Sequence, residues 1–206
     1  MKIYKQETKS SCGIACLRSI LNHYGSNFSE KDIWDKIKSF PLQKGGIRNP
    51  ILSLGVAAIK LGFDVTYIGY NPILLSDTLK DLKISLQEKS KNYVDFGKFY
   101  VDEALNFLEL DGKLIVDKLN IKKIKKLIDE NKFVLVEIKP AFINKRSPIS
   151  MHHKIILIGY TKKGFKILNP DDGKEHLLDF DTFLISFYAA IPELLIIKKR
   201  NRGVVI

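Results

Sequence analysis

Cysteine is nearly missing from this 206-residue chain, which has only Cys12 and Cys16. Four residues apart, they would stand one turn apart on a helix, a poor geometry for a disulfide, and two thiols alone do not make a zinc site. A disulfide-stapled scaffold is therefore excluded, and neither a metal nor a cofactor is called for. Long apolar runs are missing too: no window offers the roughly 18 uninterrupted apolar residues of a membrane span. No Gly-x-x-x-x-Gly-Lys-Ser/Thr loop is present to cradle nucleotide phosphates. Acidic residues are in short supply, 23 Asp+Glu against 34 Lys+Arg, for a net charge of +11. Such a surface attracts acidic partners. The basic residues gather at Lys122–Lys126 and Lys198–Arg202, and the first group fits the solvated face of a helix whose apolar face is Ile121, Ile124, Leu127 and Ile128. No aromatic ladder or recognition motif accompanies them, so no nucleic-acid partner is expected.

What is present is ordinary in bulk, 45% hydrophobic and 28% charged residues, and suits one large domain spanning 1–206. The informative stretch is Gln6-Glu7-Thr8-Lys9-Ser10-Ser11-Cys12-Gly13-Ile14-Ala15-Cys16-Leu17. From Gly13, the apolar residues Ile14, Leu17, Ile20, Leu21 and Tyr24 recur at helical spacing, and Gly25 stops the run. Ser10 and Ser11 are candidate N-caps, which puts Cys12 in or beside the first turn. Unpaired N–H groups and the helix dipole there favour the thiolate, the form that attacks carbonyl carbon. The same N–H groups, with the Gln6 amide, are suited to receive the charge that develops on a carbonyl oxygen. Gly13 is expected to leave room for a substrate, and Cys16 to be a small core residue.

Downstream, Ser29 and Asp32 form a capping box for a helix expected to run to Ser39, and Asn49-Pro50 opens another through Leu61. Phe63 to Ile68 alternates as a strand, Ser76 to Tyr93 and Val101 to Leu110 read as helices, and Ile121 to Asn131 is a third. The two middle helices form an expected elaboration at about 71–112. Phe133 to Ile138, His153 to Tyr160, Phe165 to Asn169, Glu175 to Leu178 and Pro192 to Lys198 read as strands, with a helix at Asp181 to Tyr188. The fold class is α+β, an N-terminal helical part packed on a C-terminal antiparallel β-sheet.

A base for Cys12 must come from four histidines. His23 lies about three turns along the same helix, out of reach, and His176 follows a hairpin turn and is expected in solvent. His152 and His153 point to opposite faces of one strand, and alternation alone does not choose between them.

Gln6, five intervening residues, then Cys12-Gly13, together with Ala15, Leu17 and His23-Tyr24-Gly25, resemble the N-terminal signature of the C39-like cysteine peptidases. That papain-like family includes domains that trim leader peptides from bacteriocin precursors. His153 opening the apolar run Ile155-Ile156-Leu157-Ile158, and Asn169-Pro170 after a hairpin, continue the resemblance. It implies a papain-like fold with the nucleophile helix facing the sheet, Cys12 as nucleophile, His153 as base, Asn169 orienting the imidazole and Gln6 in the oxyanion hole. His152 is then expected to be exposed. Many members carry Asp-Pro where Asn169-Pro170 stands, and Asp171 is the fallback third residue. Ser11 replaces an acidic residue common in the leader-peptide peptidases, which bears on substrate class more than on chemistry.

The implied function is a cysteine peptidase acting through a thioester acyl-enzyme on a peptide or protein substrate, with acidic ones favoured by the net charge of +11. A papain-like acyltransferase, deamidase or transpeptidase shares the first half-reaction, and a non-catalytic peptide-binding relative shares the cleft. Met1–Tyr4 runs too quickly into the motif for a signal peptide, so a cytoplasmic enzyme without a membrane span is expected.

Overall fold

A computed structural model describes residues 1–43, 46–75, 82–131, 133–144, 147–148 and 150–200. The chain begins with α1 (Cys12–His23), α2 (Glu30–Trp34), the short pair β1 (Phe40–Pro41) and β2 (Ile47–Arg48), and α3 (Ile51–Lys60). It continues through β3 (Phe63–Gly69), α4 (Leu82–Asn92), α5 (Asp95–Glu109), β4 (Lys113–Val116) and α6 (Ile121–Asn131). β5 (Val134–Ile138), β6 (His153–Tyr160), β7 (Gly164–Asn169), β8 (Lys174–Asp179), α7 (Phe180–Ala190) and β9 (Glu193–Lys199) follow.

Seven strands form one sheet in the order β4-β3-β9-β5-β6-β7-β8. Its pairs are antiparallel except β3–β4, which is parallel. Strand alternation sorts the side chains of this sheet onto two faces, and both faces are covered. On one, Leu135, Ile156, Leu168 and Leu195 join Ile14, Cys16, Leu17 and Ile20 of α1, Leu54 and Ala58 of α3, and Val101 and Phe107 of α5. On the other, Val134, Val136, Ile155 and Leu157 join Ile124 and Ile128 of α6 and Phe183 and Phe187 of α7. β6 is therefore apolar at nearly every position, because it is central and buried on both sides.

The differences from the sequence reading have local causes. The capping box at Ser29 and Asp32 forms, but α2 ends at Trp34 instead of reaching Ser39, because Phe40–Pro41 pairs with β2 and the Ser39 hydroxyl bonds the Asn49 side chain at 2.5 Å. α5 starts at Asp95, six residues before the expected Val101, as Phe96 and Phe99 bury against Phe40. The first part of the helix expected from Ser76 lies outside the described residues, and α4 begins at Leu82. The sheet is not confined to the C-terminal half, since β3 and β4 supply one of its edges. Leu86, Tyr100, Val101 and Phe107 of α4 and α5 lie in the same core as α1. Among the described residues no helix is long and apolar enough to cross a membrane.

Leu17 is fully buried between α1 and the sheet. Leu17→Ala is expected to lower unfolding free energy by about 2–5 kcal/mol, the cost of lost burial and a residual cavity, readable as a reduced urea midpoint at unchanged slope.

Candidate active site

Cys12 is the first residue of α1 and is 8% exposed. Ser11 occupies the N-cap position but does not cap. Its hydroxyl turns back, donating to the Thr8 carbonyl at 3.1 Å and accepting the Thr8 N–H at 2.9 Å. The first-turn N–H groups around Cys12 are thus left without a side-chain acceptor from the cap. A Cβ at Gly13 would lie 2.7 Å from Leu54 Cδ1 on α3 and would have to push the end of that side chain aside, so Gly13 also serves the packing of α1 on α3.

His153 is the first residue of β6, paired with Ile138 at the end of β5, and is 6% exposed. Its Nε2 lies 2.8 Å from Asn169 Oδ1 at the end of β7, and the ring is close enough to the Cys12 thiol for each group to shift the other's pKa. With Nε2–H donated to Asn169, Nδ1 is the nitrogen left for the thiol. Asn169 Oδ1 also accepts the Asp171 N–H at 3.1 Å, which fixes the amide. Asp171 Oδ2 stands farther from Nε2, at 3.8 Å, on a half-exposed side chain. Asn169 is therefore the direct partner and Asp171 a flanking charge.

Gln6 is brought to the same place. Its N–H donates to the Pro170 carbonyl at 2.9 Å, tying the N-terminal segment to the turn that follows Asn169. Its side-chain Oε1 is buried and has no partner among the described residues. Cys12, His153, Asn169 and Gln6, drawn from positions more than 160 residues apart in the chain, meet at one end of the sheet.

Two other histidines sit apart from them. His176 is exposed on β8 and bonds Asp172 at 2.7 Å. His23, at the far end of α1, packs edge-on against Phe133. His152 departs from expectation. It is largely covered rather than exposed, and its Nδ1 is hydrogen-bonded to the fully buried Glu137. Cys16 is a buried residue, as expected, with its thiol donating to the Lys154 carbonyl at 3.4 Å.

The electrostatics of the pair run in opposite directions. Burial pushes the Cys12 thiol up, but the hydrogen bond to His153, the charges of Lys154 and His153, and the Lys154 N–H outweigh it, holding the thiol below its ordinary value. Burial pushes the His153 imidazole down, but the bond and charge of Cys12, the Asp171 carboxylate and the Asn169 bond raise it above its ordinary value. The two shifts bring the group pKa values toward each other and favour the thiolate–imidazolium state.

Behind this pair lies a buried ionic cluster that the sequence reading missed. Glu137 on β5 faces Lys154 on β6, and Lys154 Nζ stands 2.7 Å from Glu137 Oε2. Arg48 reaches Glu137 Oε1 at 3.2 Å, and Lys139 Nζ stands 2.8 Å from His152 Nε2. The signal was present in the strings Val134-Leu135-Val136-Glu137-Ile138 and His153-Lys154-Ile155-Ile156-Leu157: a single charge interrupts each of two apolar strands, negative in one and positive in the other. A lone charge in a buried strand is costly unless paired.

The comparisons with known proteins bear on the family and the fold. The Peptidase_C39 like family matches residues 1–192. Among solved structures, a C39-like peptidase from Bacillus anthracis aligns with a TM-score of 0.58 at 10% identity, over 96% of this chain and 94% of that one. The peptidase domain of Streptococcus ComA, a bi-functional ABC transporter of a quorum-sensing pathway, aligns with a TM-score of 0.53 at 16% identity, over 97% and 98%. A double-glycine-motif protease from an AMS/PCAT transporter, solved with its leader peptide, gives 0.51 at 16% identity, over 96% and 91%. Among curated proteins none matches the chain. At these identities the structural likeness speaks for the fold, which is the papain-like one of C39 peptidase domains. Taken with the match along nearly the whole sequence, it means that the chain belongs to the Peptidase_C39 like family.

Proposed function

We propose that this protein is a cysteine peptidase whose nucleophile is Cys12, with His153 as general base and acid, Asn169 orienting the imidazole and Gln6 completing the oxyanion hole. The observation that carries the proposal is the His153 ring, whose Nε2 stands 2.8 Å from Asn169 Oδ1 and whose charge and that of the Cys12 thiolate favour each other. An imidazole held by a neutral amide on one nitrogen, with the other nitrogen left for a thiol, is suited to take and return one proton.

The thiolate attacks the carbonyl carbon of the scissile peptide bond, and the electrons of the C=O bond move to oxygen. On this reading the oxyanion is stabilised by the uncapped N–H groups at the start of α1 and by the Gln6 amide, a role supported by the tether of the Gln6 backbone to Pro170. His153 then passes its proton to the departing amine, leaving a thioester on Cys12. Water, deprotonated by the neutral imidazole, hydrolyses the thioester and restores the thiolate–imidazolium pair.

A peptide is the substrate to try first, because a relative in fold was solved with a leader peptide. The surplus of basic residues favours acidic peptides. The segment at about 71–112 is the elaboration that bears on peptide choice, and two free cysteines suit a reducing, cytoplasmic setting.

The test is cleavage of a peptide library followed by mass spectrometry, with Cys12→Ala as the blank. Products formed by wild type and missing with Cys12→Ala are expected; identical traces for the two proteins would overturn the peptidase reading. On a substrate so found, Gln6→Ala is expected to lower kcat by about 10²–10³, with KM little changed, as for loss of one oxyanion donor. Asn169→Ala should lower kcat, and Asn169→Asp should retain more activity than Asn169→Ala. Independently of substrate, iodoacetamide should label Cys12 rapidly at pH 6, where an ordinary thiol of pKa about 8.5 is almost fully protonated. Above the His153 pKa the imidazolium is lost but the thiolate remains, so labelling should not fall as pH rises. His153→Ala should slow labelling at pH 6 far more than at pH 9.

A further inference from the structure

The cluster behind the active site holds more positive charge than its one carboxylate balances. Glu137 is fully buried on β5 and receives Lys154 on Oε2 and both Arg48 and His152 on Oε1. The His152 ring lies between Glu137 and Lys139 and satisfies both as a neutral tautomer, Nδ1–H donating to Glu137 and Nε2 accepting from Lys139 Nζ at 2.8 Å. Its pKa is held down by burial, against the pull of Glu137. That leaves the ammonium of Lys154 and the guanidinium of Arg48 on one carboxylate, with the Lys139 ammonium beyond His152. Arg48 has a second outlet, stacked over the Phe96 ring with its guanidinium carbon 4.5 Å from the centroid. Lys154 does not: it is 4% exposed and enclosed on the sheet face that α1 covers.

The geometry of α1 decides which anion meets this surplus. Cys16 donates its thiol to the Lys154 carbonyl, and Cys12 lies one turn nearer the N-terminus on the same helical face. The Lys154 backbone thus packs against α1 at Cys16, next in sequence to His153, and its charge and N–H bear on the Cys12 thiol. We propose that Lys154 is a second cation for the Cys12 thiolate, a positioning residue that keeps the nucleophile ionised alongside His153. The inference rests on the reading of Cys12 as nucleophile. It explains why a strand that is otherwise apolar from Ile155 to Ile158 carries a lysine: Glu137 makes the lysine tolerable in the core, and the lysine makes the thiolate tolerable at the helix end.

The groups that face Cys12 and Lys154 are few enough to separate. Cys16 on α1 is buried and held protonated, its pKa pushed well up by burial and by Cys12. His153 and Lys154 come from β6, Glu137 from β5, and Asn169 and Asp171 from the end of β7. Arg48 on β2, His152 and Lys139 complete the cluster. Glu193 at the start of β9 stands beyond Glu137, bonded by Tyr67 at 2.8 Å and by Tyr100, and burial with the Glu137 charge pushes it up to about 7.

The experiment is the pH profile of iodoacetamide labelling at Cys12, from pH 4.5 to 9.5, in wild type, Lys154→Met, Lys154→Gln and Lys154→Arg, with folding checked by circular dichroism. Lys154→Gln removes the charge while keeping a hydrogen-bond donor for Glu137, and it decides the matter if Lys154→Met does not fold. Loss of the charge is expected to raise the labelling midpoint by about one pH unit, which is about tenfold slower labelling at pH values well below both midpoints, with the high-pH plateau unchanged. Lys154→Arg should keep the wild-type midpoint. A wild-type midpoint in Lys154→Gln, or a lowered plateau at an unmoved midpoint, would show that the lysine only supports the fold and would overturn the inference while leaving Cys12 as nucleophile. A midpoint near 8.5 in the wild type itself would overturn the reading of the active site beneath it.

Discussion

The seating of α1 on β6 is the contact on which the rest of this structure depends. It is made mostly of ordinary apolar packing, Ile14, Leu17 and Ile20 against Ile156, Leu135 and Leu168. Its product is chemical, because it fixes the first turn of a helix beside the first residue of a strand. Displacing that helix by an ångström would separate the Cys12 thiol from the His153 ring, and proximity of this kind accounts for much of what an active site achieves. Gly13 belongs to the same constraint: α3 approaches so closely that a methyl group at position 13 would press on Leu54. The core and the active site are therefore not separate parts of the molecule. The Leu17 side chain that stabilises the fold and the Cys12 side chain that carries the thiol belong to one rigid helix.

The second constraint is electrostatic. A thiolate and an imidazolium, both almost fully buried, are costly to form unless the surroundings compensate for lost hydration. Here compensation comes in layers. Asn169 orients the ring with a neutral carbonyl, Asp171 adds negative charge at 3.8 Å, and the start of α1 offers N–H groups that no side chain caps. Below them Lys154 and Glu137 form a buried pair across two central strands, itself supported by Arg48 and His152. An Asn in place of the Asp common in relatives is consistent with this balance, since the sheet already carries charges on either side of the ring. Only the backbone ladder between β5 and β6 brings these residues into register.

How much of this could be seen beforehand differs by element, for physical reasons. Ile121–Asn131 and His153–Tyr160 begin and end where expected, because their periodicity is strong and their boundaries are marked by Asn120 and by the turn at Lys162–Lys163. α2 falls short of its periodic pattern because a long-range event, the pairing of Phe40–Pro41 with Ile47–Arg48, removes the chain from the helix. β4 was not foreseen: Lys113–Val116 is too short to show alternation, and it becomes a strand only by lying parallel to β3. The choice of His153 over His152 came from resemblance, since two neighbours on a strand are equal by alternation. The structure separates them by partner, one bonded to Asn169, the other held by Glu137 and Lys139.

The sequence by itself determined the composition of the core, the helix that begins at Cys12, and the residue types able to carry acyl transfer, because these follow from local periodicity and from side-chain chemistry. Only the tertiary structure decided that Gln6 lies against Pro170, that Asn169 rather than Asp171 touches the imidazole, and that a lysine and a glutamate are buried behind the thiol. Those relations join residues up to 164 positions apart. They are set by which strands neighbour one another and in what register, and nothing in a local stretch of chain encodes that.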